Sequence, residues 1–307
     1  MENKTDYHIP VLYKETLDNL VINPDGVYVD CTLGGGGHSE GILERLSEKG
    51  RLICIDQDQM AIEYAKKRLE KYKGKFEIFK DNFKNLDTVI YLAGYEKVDG
   101  ILMDIGVSSK QLDDGERGFS YKYSARLDMR MDKNQKISAY EVVNEYSEEA
   151  LMKIFFEYGE ERYSRKIAED RVEKPIETTD ELALLVARAI PGKHKKHPAK
   201  KIFQAIRIEV NKELDVLVEA IDKAVKMLNT KGRLSIITFH SLEDRIVKNH
   251  FRDLSLDCIC PSEIPVCRCD HRSKVKLITR KPIEPSKDEL EINNRAHSSK
   301  LRVCERL

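Results

Sequence analysis

The sequence predicts an α/β fold: a largely parallel sheet wrapped by helices and interrupted by an inserted all-helical domain. Three observations carry that prediction. An apolar run, Val27-Tyr28-Val29-Asp30, passes through Cys31-Thr32-Leu33 into a crest of four glycines, Gly34 to Gly37, and a second apolar run ends at Asp56. Short β-rich runs then alternate with charged helical stretches as far as Asp104, and strands separated by helices pair in parallel rather than as hairpins. From about Gly118 to Asn211 the apolar spacing is helical with no convincing buried strand, after which strand signals resume. The expected organisation is a sheet domain in two parts, residues 1–117 and 212–307, around a helical substrate-recognition insertion at 118–211.

In chain order, strands are expected at residues 27–30, 52–56, 76–79 and 100–104, where branched and aromatic residues cluster, with a charged helix near 60–72. Within the insertion, residues 149–158, 165–172, 179–189 and 199–217 place apolar side chains three and four apart. Thr179 and Asp180 read as an N-cap, and Pro191-Gly192 stops that helix. Strand signals return at 233–239, after a turn at Lys231-Gly232, and again at 274–280 and 301–305.

The crest points to a ligand, because glycines between a strand and a helix let a bound molecule approach bare backbone. Asp56 lies 22 residues after Gly34, close to the spacing at which an acidic residue closing the second strand accepts hydrogen bonds from ribose hydroxyls. The glycine register argues against a dinucleotide, since G-x-G-x-x-G would need glycine at Ser39 or Glu40. No G-x-x-x-x-G-K-[ST] string occurs either, so kinase or NTPase chemistry has no anchor.

Longer strings narrow the reading. Asp30 to His38, Ile55-Asp56, Asp104-Ile105-Gly106-Val107-Ser108-Ser109 with Gln111-Leu112-Asp113, Arg117-Gly118-Phe119-Ser120, Leu127-Asp128-Met129-Arg130-Met131-Asp132, Tyr158-Gly159-Glu160-Glu161-Arg162 and Phe239-His240-Ser241-Leu242-Glu243-Asp244-Arg245 span most of the chain. Together they resemble the ribosomal RNA small subunit methyltransferase H family. The resemblance implies a class I S-adenosylmethionine-dependent methyltransferase (Rossmann-like) sheet, with an antiparallel edge made by its last two strands. It implies S-adenosyl-L-methionine as cofactor and N4-methylation of a cytosine in the decoding region of 16S ribosomal RNA. Residue by residue, it implies that Gly36, Gly37, His38, Asp56, Phe83, Asp104 and Gln111 contact the cofactor. Phe83 would lie on the adenine face, and Asp104, nearest the reacting end, is the catalytic residue implied.

An exocyclic cytosine amine is a weak nucleophile, and an acceptor such as Asp104 or a backbone carbonyl would help it attack. Amino-methyltransferases acting on DNA carry an acidic or polar residue followed by Pro-Pro and an aromatic there, whereas this chain has Asp104-Ile105-Gly106-Val107, which leaves the acceptor open. Carbon-5 methylation uses a cysteine in a Pro-Cys or Thr-Cys context, and neither dipeptide occurs.

With 53 basic and 53 acidic residues the chain is formally neutral, so an RNA partner must be met by a local patch. Arg188, Lys193, Lys195, Lys196, Lys200, Lys201, Arg207 and Lys212, with His194 and His197, face only Glu209 in one short stretch and make that patch the expected clamp on 16S ribosomal RNA or the small ribosomal subunit. A second basic set, Arg268, His271, Arg272, Lys274 and Lys276, precedes a strand. Cys258-x-Cys260 and Cys267-x-Cys269 have a spacing open both to zinc ligation and to a reduced cysteine-rich loop, and no metal residue is assigned. Seven cysteines, no long apolar run and no signal-like segment at residues 1–10 imply a cytoplasmic protein without a membrane partner; a homodimer is allowed for. The alternative function is an RNA-binding assembly factor with a vestigial nucleotide pocket, which would bind no S-adenosylmethionine.

Overall fold

The computed structural model describes residues 10–171, 175–192, 197–260 and 266–307. It divides into two compact units, Met1–Gly106 with Leu214–Leu307, and Val107–Glu213. The first carries a seven-stranded sheet: β1 (Val27–Asp30), β2 (Arg51–Asp56), β3 (Phe76–Lys80), β4 (Val98–Asp104), β5 (Leu228–Thr238), β6 (Val275–Leu277) and β7 (Lys300–Arg306). Their order is β3-β2-β1-β4-β5-β7-β6; β1 to β5 pair in parallel, and β7 is antiparallel to both neighbours. This is the sheet that the resemblance implies, antiparallel edge included. β5 starts earlier than its apolar run suggests, because the chain passes Lys231 in the left-handed region (φ 68°) while staying paired to β4 through a register shift between Val98 and Gly100.

Helices of this unit are α1 (Tyr13–Leu20), α2 (Gly37–Arg45), α3 (Gln59–Arg68), α4 (Leu86–Leu92), α11 (Glu213–Met227), α12 (Ser241–Leu254) and α13 (Lys287–Ile292). Alternate strand residues enter two separate cores. Val29, Ile53, Ile55, Ile101, Met103 and Ile236 pack with residues of α4, α11 and α12, while Tyr28, Leu52, Cys54, Leu102 and Ile237 pack with residues of α1, α2 and α3. A sheet buried on both faces reads as continuous apolar runs, which is why its strands stand out in the sequence.

The second unit is helical: α5 (Ser109–Asp113), α6 (Ala139–Glu145), α7 (Glu148–Glu157), α8 (Ser164–Asp170), α9 (Thr179–Ala189) and α10 (Ala199–Asn211) surround Leu127, Val142, Leu151, Phe155, Ile167, Val186 and Ile206. It begins at Val107 rather than at residue 118, because Val107 and Leu112 pack against this helical core. α9 is capped by Thr178, which forms a capping box with Glu181, rather than by Thr179 or Asp180. The Thr179 hydroxyl instead donates to Tyr123 O and accepts from Ala125 N. The helix expected at 199–217 is two helices. Lys212 adopts φ 50°, and the break is held by a two-pronged Arg207–Glu213 pair at 2.8 and 2.9 Å and by Asn211, which donates to Met129 O and accepts from Met131 N. Hydrophobic periodicity carries no signal for such polar contacts. Among the described residues no helix is long and apolar enough to cross a membrane. The expected helix end at Val172, and the readings of residues 1–9, lie outside the described residues.

Candidate active site

The strand order reverses at β1, whose neighbours β2 and β4 lead to opposite halves of the sheet. Ligands of open α/β sheets bind at such a switch point, beyond the carboxyl ends of the strands. Asp30, the last residue of β1, is level with Cys54 of β2 and Leu102 of β4. Both neighbours therefore project two residues further, and each projection ends in a carboxylate, Asp56 on one side and Asp104 on the other. Their strands lie about 10 Å apart across β1.

Between them runs the glycine crest. The Leu33 amide donates to Ile55 O and the Cys31 amide to Leu102 O, so the chain leaving β1 stays bridged between both neighbours. Gly36 then turns in the left-handed region (φ 74°) as the N-cap of α2, with no side-chain hydrogen bond capping the helix. At Gly37 a Cβ would sit 2.3 Å from Pro10 Cγ. Both glycines are thus required by close packing, Gly36 against Ala65 and Gly37 against Pro10, while the first turn of α2 has no side-chain cap to compete with an anionic group for its amides.

Asp56 is fixed by that backbone: Oδ2 accepts from Gly34 N and Oδ1 from Asp58 N, both at 2.8 Å. Burial raises its pKa to about 6, against the pull of those two amides, and the charges of Asp58 and Asp30 add to the rise. Each oxygen keeps a lone pair, so a pair of ribose hydroxyls can still donate to it. Phe83 follows β3 and is half-buried against the core that contains Ile55 and Leu86.

Asp104 is anchored through its backbone, its amide donating to Thr32 Oγ1 at 2.7 Å. Its side chain is 22% exposed, yet Oδ1 is enclosed and has no hydrogen-bond partner among the described residues. Burial, reinforced by the negative charges of Asp30 and Glu243, pushes its pKa up to about 8. Oδ2 lies 3.6 Å from His38 Nδ1. His38 is 7% exposed and donates from Nε2 to Val11 O at 3.1 Å, which leaves Nδ1 facing the carboxylate. The sequence reading passed over Asp30, although it closes its strand just as Asp56 and Asp104 close theirs. It is 1% exposed, accepts from Ser39 Oγ and Thr32 N, and has its pKa raised by burial. Gln111 lies in the second unit on α5, where its Oε1 accepts from Ser108 N; the six residues gathered within the first unit are Gly36, Gly37, His38, Asp56, Phe83 and Asp104.

Strand-end carboxylates that resist ionisation are suited to a cationic ligand, whose charge would relieve them. S-adenosylmethionine would suit these residues: a ribose for Asp56, a carboxylate for the uncapped start of α2, and positive charge toward the Asp104 carboxyl. Cys31 and Cys54 lie beside Asp30, but burial raises their thiol pKa values far from neutrality, so neither is poised as a nucleophile.

The model of the MraW methylase family matches residues 5–307. A ribosomal RNA small subunit methyltransferase H of Fusobacterium nucleatum is 68% identical over 98% of this chain and 98% of its own length. A protein of the same name from Clostridium botulinum is 57% identical over 98% and 99%. Among solved structures, an rRNA methylase from Streptococcus thermophilus aligns with 96% of this chain and 93% of its own at 13% identity, with a TM-score of 0.43.

Proposed function

Because this chain belongs to the MraW methylase family, we propose that it transfers a methyl group from S-adenosylmethionine to N4 of a cytosine in the decoding region of 16S ribosomal RNA. S-adenosylmethionine supplies a methyl already activated on a cationic sulfur, so the protein mainly aligns the amine and manages charge. Asp56 holds the ribose, and the amides at the start of α2 meet the amino-acid tail. Phe83, half-buried after β3, lies against the adenine face, and Gln111 is a further cofactor contact. Asp104 acts at the amine: its part-exposed carboxyl accepts an N4 hydrogen, which returns lone-pair density to the nitrogen, and then takes the proton released when the amine is methylated. His38 Nδ1 faces the other oxygen at 3.6 Å, where a protonated imidazole ring would favour the ionised carboxylate. The observation that carries this reading is the part-exposed Asp104 carboxyl at the end of β4, with no hydrogen bond to Oδ1 among the described residues.

RNA is the substrate class, and the second unit provides exposed cations to meet its phosphates. Arg188, Lys200, Lys201 and Lys212 are exposed, and His197 stacks on Tyr121 with ring centroids 4.8 Å apart. Arg207 is withdrawn from this set by its pairing with Glu213, and Lys212 is bound to Glu209. Lys193, His194, Lys195 and Lys196 lie outside the described residues. We place the protein in the cytoplasm with its ribosomal substrate. The test is methylation of naked 16S RNA, free small subunits and whole ribosomes, followed by nucleoside mass spectrometry. N4-methylcytidine in a single decoding-region position is the expected product; a methyl on carbon-5 or on adenine refutes the proposal, and no binding of S-adenosylmethionine favours the assembly-factor alternative.

A further inference from the structure

The loop joining α12 to β6 holds four thiols that the methyl-transfer site does not use. The Sγ atoms of Cys258, Cys260, Cys267 and Cys269 all lie within 4.8 Å of one another; the 267–269 and 258–269 separations are 3.5 and 3.8 Å. A tetrahedron of ~2.3 Å zinc–sulfur bonds has sulfur–sulfur edges of about 3.8 Å, whereas a disulfide needs about 2.05 Å. None of the four is disulfide-bonded. We propose that these cysteines form a structural tetrathiolate zinc site.

Three further observations support a metal over a fortuitous cluster. Among the described residues of the loop the apolar side chains do not gather the sulfurs: Ile259 is 52% and Val266 68% exposed, so their burial does not repay the entropy lost when four side chains converge. Backbone amides already point at sulfur, Cys260 N donating to Cys258 Sγ and Arg268 N to Cys260 Sγ, both at 3.4 Å, and such donors favour the thiolate form that binds metal. The base of the loop is clamped: Ser273 donates from its amide and hydroxyl to Asp257 Oδ1, and the Lys274 amide donates to Leu254 O. Both arms are thus held together before any ion binds. Zn²⁺ displaces four thiol protons to leave a centre of net charge −2, with no oxidation or reduction; Arg268, His271, Arg272 and Lys274 in the same stretch offset it. Four protein sulfurs leave no open position, so the site is structural rather than catalytic. It fastens the connection into β6, the edge of the sheet, and stands independently of the methyl-transfer reading.

The test uses the untagged, full-length chain, expressed with zinc in the medium and purified with reductant and without chelator. Metal analysis is expected to find near one zinc per chain, retained on dialysis, and exchange with Co²⁺ alone to give thiolate-to-cobalt charge transfer with tetrahedral d–d bands. Cys258→Ser and Cys267→Ser should each lose the metal, and chelation should open residues 255–274 to protease while leaving the remainder of the chain resistant. Wild-type protein holding under about a tenth of an equivalent of zinc, a cobalt spectrum without thiolate bands, or a disulfide among these cysteines in reduced preparations overturns the proposal.

Discussion

Replacing Asp104 by Asn should stabilise the ligand-free protein and weaken its grip on the cofactor, opposite signs from one atom's change. In the native chain the carboxyl titrates at about 8, against an ordinary 3.8. A folded-state pKa raised in this way means the native state holds a proton that the unfolded chain has lost, so stability falls as pH rises from 3.8 and levels off above 8. Across the roughly three pH units from 3.8 to neutrality, at ~1.4 kcal/mol each, the penalty reaches about 4 kcal/mol. With 22% of the side chain exposed, solvent screens part of this, and ~2 kcal/mol is the working figure. For a unit of this size that is a rise in Tm of about 4–8 °C for Asp104→Asn near pH 7, shrinking toward pH 4. Neighbouring Asp30, Glu243 and His38 stay in place, so the change isolates one group. Thermal melts across this range test the stability arm, and calorimetry tests binding. Wild-type affinity for S-adenosylmethionine should climb by up to about tenfold per pH unit below 8, while S-adenosylhomocysteine, uncharged at sulfur, follows a shallower curve. In Asp104→Asn the two ligands should converge. A variant that melts lower at every pH, or keeps the full preference for the cationic ligand, refutes the reasoning.

Asp56→Ala should weaken S-adenosylmethionine at least about tenfold, since two ribose hydroxyls lose their acceptor and the Gly34 and Asp58 amides are left without theirs; calorimetry reads this, and unchanged affinity counts against the ribose assignment. Gly37→Ala drives a methyl to 2.3 Å from Pro10 Cγ, so it should lower stability by about 1–3 kcal/mol in denaturant unfolding and displace the residue-10 segment. Lys200→Glu with Lys201→Glu should weaken RNA binding and reduce the slope of log affinity against log salt by roughly 1.5, without altering S-adenosylmethionine binding. Equal slopes for the variant and the native chain would remove the second unit's lysines from the phosphate contacts.

The parallel half of the sheet was legible because burial on both faces leaves nearly unbroken apolar runs, and β1 to β4 end within a few residues of where those runs end. What the sequence concealed were features set by polar contacts between distant positions. The break at Lys212 depends on Asn211 bridging to Met129 and Met131, some eighty residues earlier, and an apolar stripe continues across it undisturbed. Arg207 looked like a phosphate ligand because charge counting cannot see Glu213 holding it two-pronged. The start of the helical unit was placed late for a related reason: Val107 and Leu112 are ordinary loop residues until the helical core they pack against is known.

Asp30 shows how the site's chemistry is distributed. It is the most enclosed of the three strand-end carboxylates, yet its oxygens are occupied by Ser39 and Thr32, so it is poorly placed to meet a ligand directly. Its effect is through the field: its charge helps raise both Asp56 and Asp104. A buried negative group behind two reactive ones keeps them reluctant to ionise, and the arrival of positive charge then relieves the whole cluster. Replacing Asp30 by Asn should therefore lower the pKa of Asp104 and flatten the pH dependence of cofactor binding, although Asp30 touches neither substrate nor cofactor. A binding profile whose midpoint stays near that of the native chain would show instead that burial and Glu243 set the Asp104 titration without Asp30.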